Sequence, residues 1–202
     1  MKPDSDWDSC IQMKDCKNRP NSLYLVEGDM ERLAFREKFK IRASKLGAYG
    51  HSVSMEKIAQ KICVQLLYSA NVKFVFIMFD REQRNQSADE LSSSLRKVLE
   101  VKFPNIEFCI AIPDRDIESW IFSDKAACES YFGKKIGKST KSEGTKGTDY
   151  ASRVIGPGRY DKMTDGPRLI QKISWPIIER SSQSAKAANL SRHFDQCPWV
   201  AA

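Results

Sequence analysis

Histidines and paired cysteines are scarce in this 202-residue chain, which limits the metal sites that the sequence can build. The only histidines are His51 and His193, and the six cysteines form no Cys-x-x-Cys pair. Structural zinc sites need several Cys or His ligands at close spacing, so a zinc site has little support. Each histidine stands alone, and we interpret both as surface or hydrogen-bonded residues rather than catalytic ones.

Phosphate-binding glycine loops and long apolar runs are also missing. The glycines match neither the P-loop nor the dinucleotide-binding pattern, which argues against ATP or NAD binding by this chain. No apolar stretch reaches the roughly 18–20 residues of a transmembrane helix, so no membrane association is expected. The chain shows no signal peptide and no disulfide framework, and we therefore expect a reducing, cytoplasmic location.

What the chain does have is positive charge. The net charge is +7 and 41% of the residues are hydrophobic, and the isoelectric point is about 9.1. A chain of this length and composition forms one domain, or one domain with a small appendage. A basic protein favours an acidic partner, most commonly nucleic acid, although a basic protein without such a partner has the same composition.

Three apolar runs, at 23–26, 74–79 and 108–112, each end in acidic residues. Continuous apolar runs of this length are typical of buried strands in a parallel sheet, whose ligands bind at the carboxyl ends of the strands. Carboxylates that meet there repel one another unless a cation lies between them. The pattern predicts an α/β fold, with a mostly parallel, Rossmann-like sheet flanked by helices and a magnesium-dependent phosphate site at its edge.

The remaining pattern predicts how the chain is organised. Apolar spacing indicates a helix at 29–44, a second that Ser54 caps, and helices at 87–101 and 117–131, followed by two in the tail. The two tail helices are expected at 168–180, limited by Pro176, and at 184–194. We divide the chain into four parts: a flexible leader (1–21), a core (22–132), a basic loop (133–160) and a helical C-terminal extension (161–202).

The first acidic segment is Glu27-Gly28, with Glu31 one helical turn further on. Glu27 at a strand end can act as a general acid or base or as a metal ligand, and Gly28 allows close approach of a phosphate. The alternative is a strand-ending turn with an exposed acid. Glu31 can point back toward the same site.

The second segment is Asp80-x-Glu82. Two carboxylates at this spacing on an extended chain point the same way and can share a divalent cation. A solvated acidic loop is the alternative, because Arg81 and Arg84 lie alongside.

The third segment contains Asp114, Asp116 and Glu118. Asp116 is at a position to cap the helix that follows, and Glu118 lies in its first turn, where the helix dipole favours an anion. We favour Glu118 for function and leave the roles of Asp114, Asp116 and Asp124 open. Trp120 is interpreted as a packing residue.

Lysines are interleaved with Gly, Ser and Thr after residue 133. This segment is expected to be a flexible basic loop that contacts the phosphate backbone of nucleic acid. Its candidate residues are Lys134, Lys135, Lys138, Lys141 and Lys146.

These motifs resemble a known family. Leu-Val-Glu-Gly-x-x-Glu after one strand and Phe-Asp-x-Glu after another are similar to the TOPRIM domain of topoisomerases, primases, OLD-type nucleases and small RNases. Residues 116–124 are similar to the Glu-x-Trp-Ile-x-x-Asp stretch of the DUF4276 and RloB-like group of TOPRIM-like proteins. The resemblance covers residues 22–125 best. The chain departs from the family pattern at two places. Glu82 stands where the family has an Asp, and residues 48–52 are the only segment that could form the family's second strand.

The resemblance implies a nuclease that hydrolyses DNA or RNA with Mg²⁺ or Mn²⁺. Glu27, Asp80, Glu82 and Glu118 would be the metal ligands, and Glu27, Glu31 and Glu118 the catalytic candidates. It also implies an antiphage-defence effector working with an ATPase partner. A non-catalytic nucleic-acid-binding or assembly subunit and a small RNA-maturation nuclease are the alternatives. The residues leave open DNA versus RNA, specificity, one or two metal ions, the trigger and homo-oligomer formation.

Overall fold

A parallel β-sheet organises the molecule. The computed structural model describes residues 21–47, 53–137 and 142–188. Within these residues the sheet has the strand order β2-β1-β3-β4, and every neighbouring pair is parallel. Its strands are β1 (Ser22–Val26), β2 (Ser44–Lys45), β3 (Phe74–Met78) and β4 (Glu107–Ala111). The predicted α/β fold with a parallel sheet and flanking helices is confirmed.

The sheet is buried on both faces, which explains why its strands are apolar runs rather than alternating ones. All five residues of β3 are buried. Phe76 lies in one core cluster with Phe35 of the first helix, whereas Ile77 lies in a second cluster with Ile62 and Leu95 of later helices. Successive strand residues therefore contact helices on opposite faces.

Nine helices are present in the described part of the chain. They are α1 (Asp29–Phe39), α2 (Met55–Leu67), α3 (Ala88–Lys102), α4 (Ile117–Ile121), α5 (Lys125–Phe132), α6 (Gly147–Val154), α7 (Asp165–Lys172), α8 (Trp175–Ser181) and α9 (Gln183–Ala188). The predicted cap of α2 is confirmed, since the Ser54 hydroxyl accepts a hydrogen bond from the Lys57 amide at 3.3 Å. α3 begins with a capping box between Ser87 and Glu90.

Two of the predicted helices in the first part of the chain were too long. The helix predicted at 29–44 ends at Phe39, because Lys40 turns into the left-handed region with φ of 53°. The helix predicted at 117–131 is divided into α4 and α5. The division lies at Asp124, whose carboxylate accepts a hydrogen bond from the Ala127 amide and so starts a new helix.

The second strand and the tail also differ from prediction. β2 lies at Ser44–Lys45, before the expected segment, and 48–52 lies outside the described residues. The segment predicted as one helix at 168–180 forms two helices, α7 and α8. Pro176 does not end a helix but lies in the first turn of α8. In the first turn the missing N–H of proline costs no hydrogen bond. The last helix is α9, and the leader through residue 20 and the tail after 188 lie outside the described residues.

The predicted basic loop contains a helix. α6 begins at Gly147, inside the segment expected to be a loop, and packs against α4. A Cβ on Gly147 would lie 2.0 Å from Cβ of Glu118 and 2.8 Å from Oδ1 of Asp116. The two helices can approach this closely only because residue 147 has no side chain.

Among the described residues, no helix is long and apolar enough to cross a membrane.

Replacing Gly147 with Ala should destabilise the fold, because the added methyl group overlaps Glu118 and must push α6 away from α4. We expect a loss of about 2–3 kcal/mol in the free energy of unfolding, typical of overpacking. The measurement is urea denaturation beside Gly137→Ala, where a Cβ meets nothing within 4 Å. Equal stability of the two variants would contradict the close approach.

Candidate active site

The carboxyl ends of β1 and β3 place two acidic residues side by side. Glu27 follows β1 and Asp80 follows β3, and the two strands are paired residue by residue up to Val26 and Met78. The backbone N–H of Asp80 donates a hydrogen bond of 2.6 Å to Oε2 of Glu27. The Glu27 carboxylate therefore links the ends of β1 and β3.

Glu31 lies behind them in the first turn of α1 and is 4% exposed. Its carboxylate turns back to accept a hydrogen bond from the Gly28 amide at 3.1 Å. Burial raises the pKa of Glu31, and Glu118 raises it further, while Lys162 and the backbone hydrogen bonds oppose the rise. Glu31 thus stabilises the start of α1 and adds negative potential to the site.

Asp80 experiences this potential most strongly. Burial raises the pKa of Asp80 well above its ordinary value of 3.8, and the carboxylates of Glu31, Glu27 and Glu118 raise it further against the opposing charge of Lys162. Among the described residues, no side chain donates a hydrogen bond to the Asp80 carboxylate. An acid that has no side-chain donor and lies near three others attracts a cation.

Glu118 is the most deeply buried of the four acids, with 1% exposure, and lies in the first turn of α4. Both of its oxygens lie 3.3 Å from Nζ of Lys162. The Tyr160 hydroxyl donates a hydrogen bond of 3.4 Å to Oε1, and the Tyr160 ring packs edge-on against Phe122. Burial works against the charge on Lys162, but Glu118, Asp80 and Glu31 together raise its pKa above the ordinary value.

Asp116 does not cap α4 as expected. It stands at the N-cap position of α4, but its side chain makes no capping hydrogen bond there. Both of its oxygens accept from the backbone N–H of Gly147, at 3.0 and 2.8 Å, so the carboxylate binds the start of α6 instead. Burial and the neighbouring Glu118 raise the pKa of Asp116 to about 6.

The loop after β3 is not extended, contrary to prediction. Glu82 has φ of 53°, in the left-handed region, so Asp80 and Glu82 do not share a face as they would on an extended chain. Both still line one cleft of about 280 Å³ together with five other residues. Those are Gln83, Arg115, Asp116, Lys146 and Lys162.

Asp114 of the third acidic segment, and Trp120 and Asp124 shortly after it, have structural contacts. Asp114 forms an ion pair with Arg81. Asp124, which is 2% exposed, caps α5 and accepts a hydrogen bond of 2.9 Å from the Ser174 amide. Trp120 is fully buried and donates to the Ser184 hydroxyl, in agreement with its interpretation as a packing residue.

The predicted lysines are spread over different environments. Lys134 and Lys135 are exposed after α5, whereas Lys146 lines the cleft as the residue before α6. Lys138 and Lys141 lie outside the described residues.

Sequence reasoning missed the two basic residues that the fold brings to the acids. Lys162 lies in a loop without the preceding apolar run that identifies a strand end, so its sequence context gives no signal. Only the placement of the segment between α6 and α7 over α4 brings Lys162 to Glu118. Arg115 could have been noticed as the basic residue between Asp114 and Asp116.

The donor chemistry at this edge fits a hard divalent cation, since all the acids provide carboxylate oxygens. The unpartnered Asp80 carboxylate in a negative surrounding is the feature that fits best. Within residues 21–47, 53–137 and 142–188, no three acidic, His or Cys side chains already converge at ligating distance.

The chain belongs to the family described as a domain of unknown function, DUF4276, whose model matches residues 11–200. No curated protein and no solved structure matches the chain.

Replacing Asp80 with Asn should stabilise the metal-free protein, because Asn keeps the shape and removes a repelled charge. We expect a gain on the order of 1 kcal/mol at neutral pH, or about 2–4 °C in melting temperature. Thermal unfolding in EDTA checks this. The control is Asp89→Asn at an exposed position in the first turn of α3, where loss of the anion is neutral or slightly destabilising. A lower melting temperature for Asp80→Asn would contradict the electrostatic account.

The stability that the Asp→Asn substitutions add should increase as the pH rises. An acid whose pKa is raised on folding binds its proton more tightly when folded, so its contribution to stability falls as the pH rises above its unfolded pKa. For Asp116 the window runs from its ordinary value of 3.8 to about 6. The stability of Asp116→Asn, relative to the unaltered chain, should therefore increase across this window, and that of Asp80→Asn should increase as the pH rises above 3.8. Denaturation at several pH values measures it, and a constant difference would contradict the raised pKa values.

Proposed function

We propose that this protein is a metal-dependent nuclease that hydrolyses phosphodiester bonds of DNA or RNA. The observation that carries the proposal is the Asp80 carboxylate, which accepts no side-chain hydrogen bond in the described residues and lies near Glu27, Glu31 and Glu118. Concentrating four acids where parallel strands end costs stability. Such a loss of stability is typical of catalytic and ligand-binding sites, where the charged groups take part in the chemistry.

Asp80 and Glu27 would hold Mg²⁺ or Mn²⁺, with Glu82 and Glu118 as further ligands. When bound, the ion would lower the pKa of a water nucleophile and neutralise charge that develops on the phosphate. Glu27 is held by the Asp80 amide at 2.6 Å, so its position is set by the strands themselves. It is suited to act as a fixed ligand or as a general base.

Lys162 would contribute positive charge to a phosphate bound in the cleft. Its ammonium group is held 3.3 Å from both oxygens of Glu118 and remains partly exposed to the cleft. The raised pKa of Lys162 keeps it charged throughout the neutral range. Tyr160 donates to the same carboxylate and thereby restricts the orientation of Glu118.

The wider assignment rests on resemblance. The motifs at Glu27, at Asp80 with Glu82, and at residues 116–124 are similar to the TOPRIM-like RloB group, which is related to OLD-type nucleases. On that basis we propose an antiphage-defence effector that works with an ATPase partner. The net charge of +7 and the exposed Lys134 and Lys135 support nucleic acid as the ligand.

A non-catalytic nucleic-acid-binding or assembly subunit is the second candidate. It is favoured by the direct pairing of Glu118 with Lys162 and by the lack of a preformed metal-ligating trio in the described residues. This candidate predicts binding that does not depend on metal and does not change in Asp80→Ala.

The test is cleavage of single-stranded DNA, double-stranded DNA and tRNA with Mg²⁺, Mn²⁺ or EDTA. We expect metal-dependent cleavage that Asp80→Ala abolishes. Glu27→Gln should lower the rate at least about 100-fold, as loss of a general base does, while leaving substrate affinity unchanged. Asp89→Ala, an exposed acid on α3, serves as the matched control.

The outcomes separate the candidates. Equal loss of affinity and cleavage in Glu27→Gln would contradict a chemical role. Binding without cleavage under every condition would support the binding subunit. For the partner, a pull-down that recovers no ATPase, together with activity of the isolated chain, would remove the proposed ATPase dependence.

A further inference from the structure

The cleft beside Asp80 is polar throughout. All seven of its lining residues carry a charge or an amide, and three of them are basic. Ligand pockets for apolar molecules are lined mainly by hydrophobic and aromatic side chains. A cleft of about 280 Å³ without such side chains is suited to a small, strongly hydrated anion next to a cation site.

Two residues of the cleft have a strained backbone. Glu82 and Arg115 have φ of 53° and 79°, and neither is glycine. The amide of Glu82 donates a hydrogen bond of 2.6 Å to the carbonyl of Arg115, and the Arg81 amide donates to the Pro113 carbonyl at 3.1 Å. The loops after β3 and β4 are thus fastened together beyond the sheet, and both strained residues line the cleft. Strain of this kind typically persists where a side chain has to be aimed.

The Arg115 side chain lines the cleft and is paired with no charged group in the part of the chain that the structure describes. In the described residues it makes no ion pair and no hydrogen bond, in contrast to Arg81, which pairs with Asp114, and Arg84, which donates to the carbonyl of Asp80. Lys146 lines the same cleft, and its side chain also lacks a partner there. A guanidinium with free donors matches the two oxygens of a phosphate.

We propose that Arg115, assisted by Lys146, forms a phosphate subsite that binds a backbone phosphate next to the one being cleaved. This inference rests on the proposed nuclease function and adds a positioning residue to it. Arg115 fixes where the strand lies, while the acids at the strand ends hold the metal. Because no aromatic side chain lines the cleft, the subsite reads the backbone and not the base.

Binding is measured separately from cleavage to test this. Fluorescence anisotropy with labelled single-stranded DNA and RNA, in Ca²⁺ to prevent turnover, gives the affinity and its dependence on salt. Arg115→Gln should weaken binding about tenfold or more, since it loses a charged hydrogen-bonding contact. It should also reduce the slope of log affinity against log salt by about 0.7, the value for one phosphate on a single strand.

The controls address charge and folding. Arg42→Gln makes the same change of charge at an exposed residue just before β2, away from the carboxyl ends of the strands, and should alter neither quantity. Arg115→Lys should recover the salt slope and part of the affinity. Lys146→Gln is the second variant if Arg115→Gln unfolds, and it should lower the slope in the same way.

The results distinguish this proposal from the proposed function. Unchanged affinity and slope in Arg115→Gln and Lys146→Gln would overturn the subsite even if the chain cleaves nucleic acid. The expected losses in a chain that never cleaves would support the subsite and overturn the nuclease. No binding by the unaltered chain at low salt would overturn both.

Discussion

Repulsion among the carboxylates at the carboxyl ends of β1 and β3 is the constraint on which the rest of the arrangement depends. Burial raises the pKa of Asp80, and the three neighbouring acids Glu31, Glu27 and Glu118 raise it further, since little water lies between the carboxylates to screen them. The protein offsets part of this with fixed donors: the Asp80 amide to Glu27, the Gly28 amide to Glu31, and Lys162 to Glu118. The Asp80 side chain receives no such donor in the described residues, so the remaining negative potential is concentrated there.

The acids of the site and several of their hydrogen-bond partners come from different parts of the chain. Glu27, Glu31 and Asp80 come from the ends of the first strands and from α1, whereas the partners of Glu118 and Asp116 come from segments after α5. Lys162 reaches Glu118, and Gly147 binds both oxygens of Asp116. Glu143, in the loop before α6, accepts hydrogen bonds from the amides of Gln183 and Ser184 at the start of α9. The segments after α5 are therefore part of the site, because they provide the counter-charge of Glu118 and the amide that binds Asp116.

The sequence predicted those parts of the structure that follow from local pattern. Apolar runs located β1, β3 and β4, apolar spacing located α3, and Ser54 located the start of α2, because burial and capping act over a few residues. The predictions that failed concern features that depend on contacts between residues distant in sequence. The break at Asp124 depends on a carboxylate that also binds the Ser174 amide, fifty residues away in sequence. Lys162 has no local signature, and Gly147 looked like part of a flexible loop until its contact with Glu118 was known.

The opposing charges in the cleft have a consequence for ligand binding. Three of its lining residues are acidic and three are basic, so the charges of the lining side chains balance one another. A cation that binds alone brings positive charge toward Arg115, Lys146 and Lys162, and an anion that binds alone meets Asp80, Glu82 and Asp116. A cation and a phosphate that bind together neutralise each other as well as the cleft. Each ligand should therefore raise the affinity for the other, and this coupling is reciprocal. Under the proposed function, metal alone would bind weakly until a phosphate binds, and this would restrict the chemistry to the bound substrate.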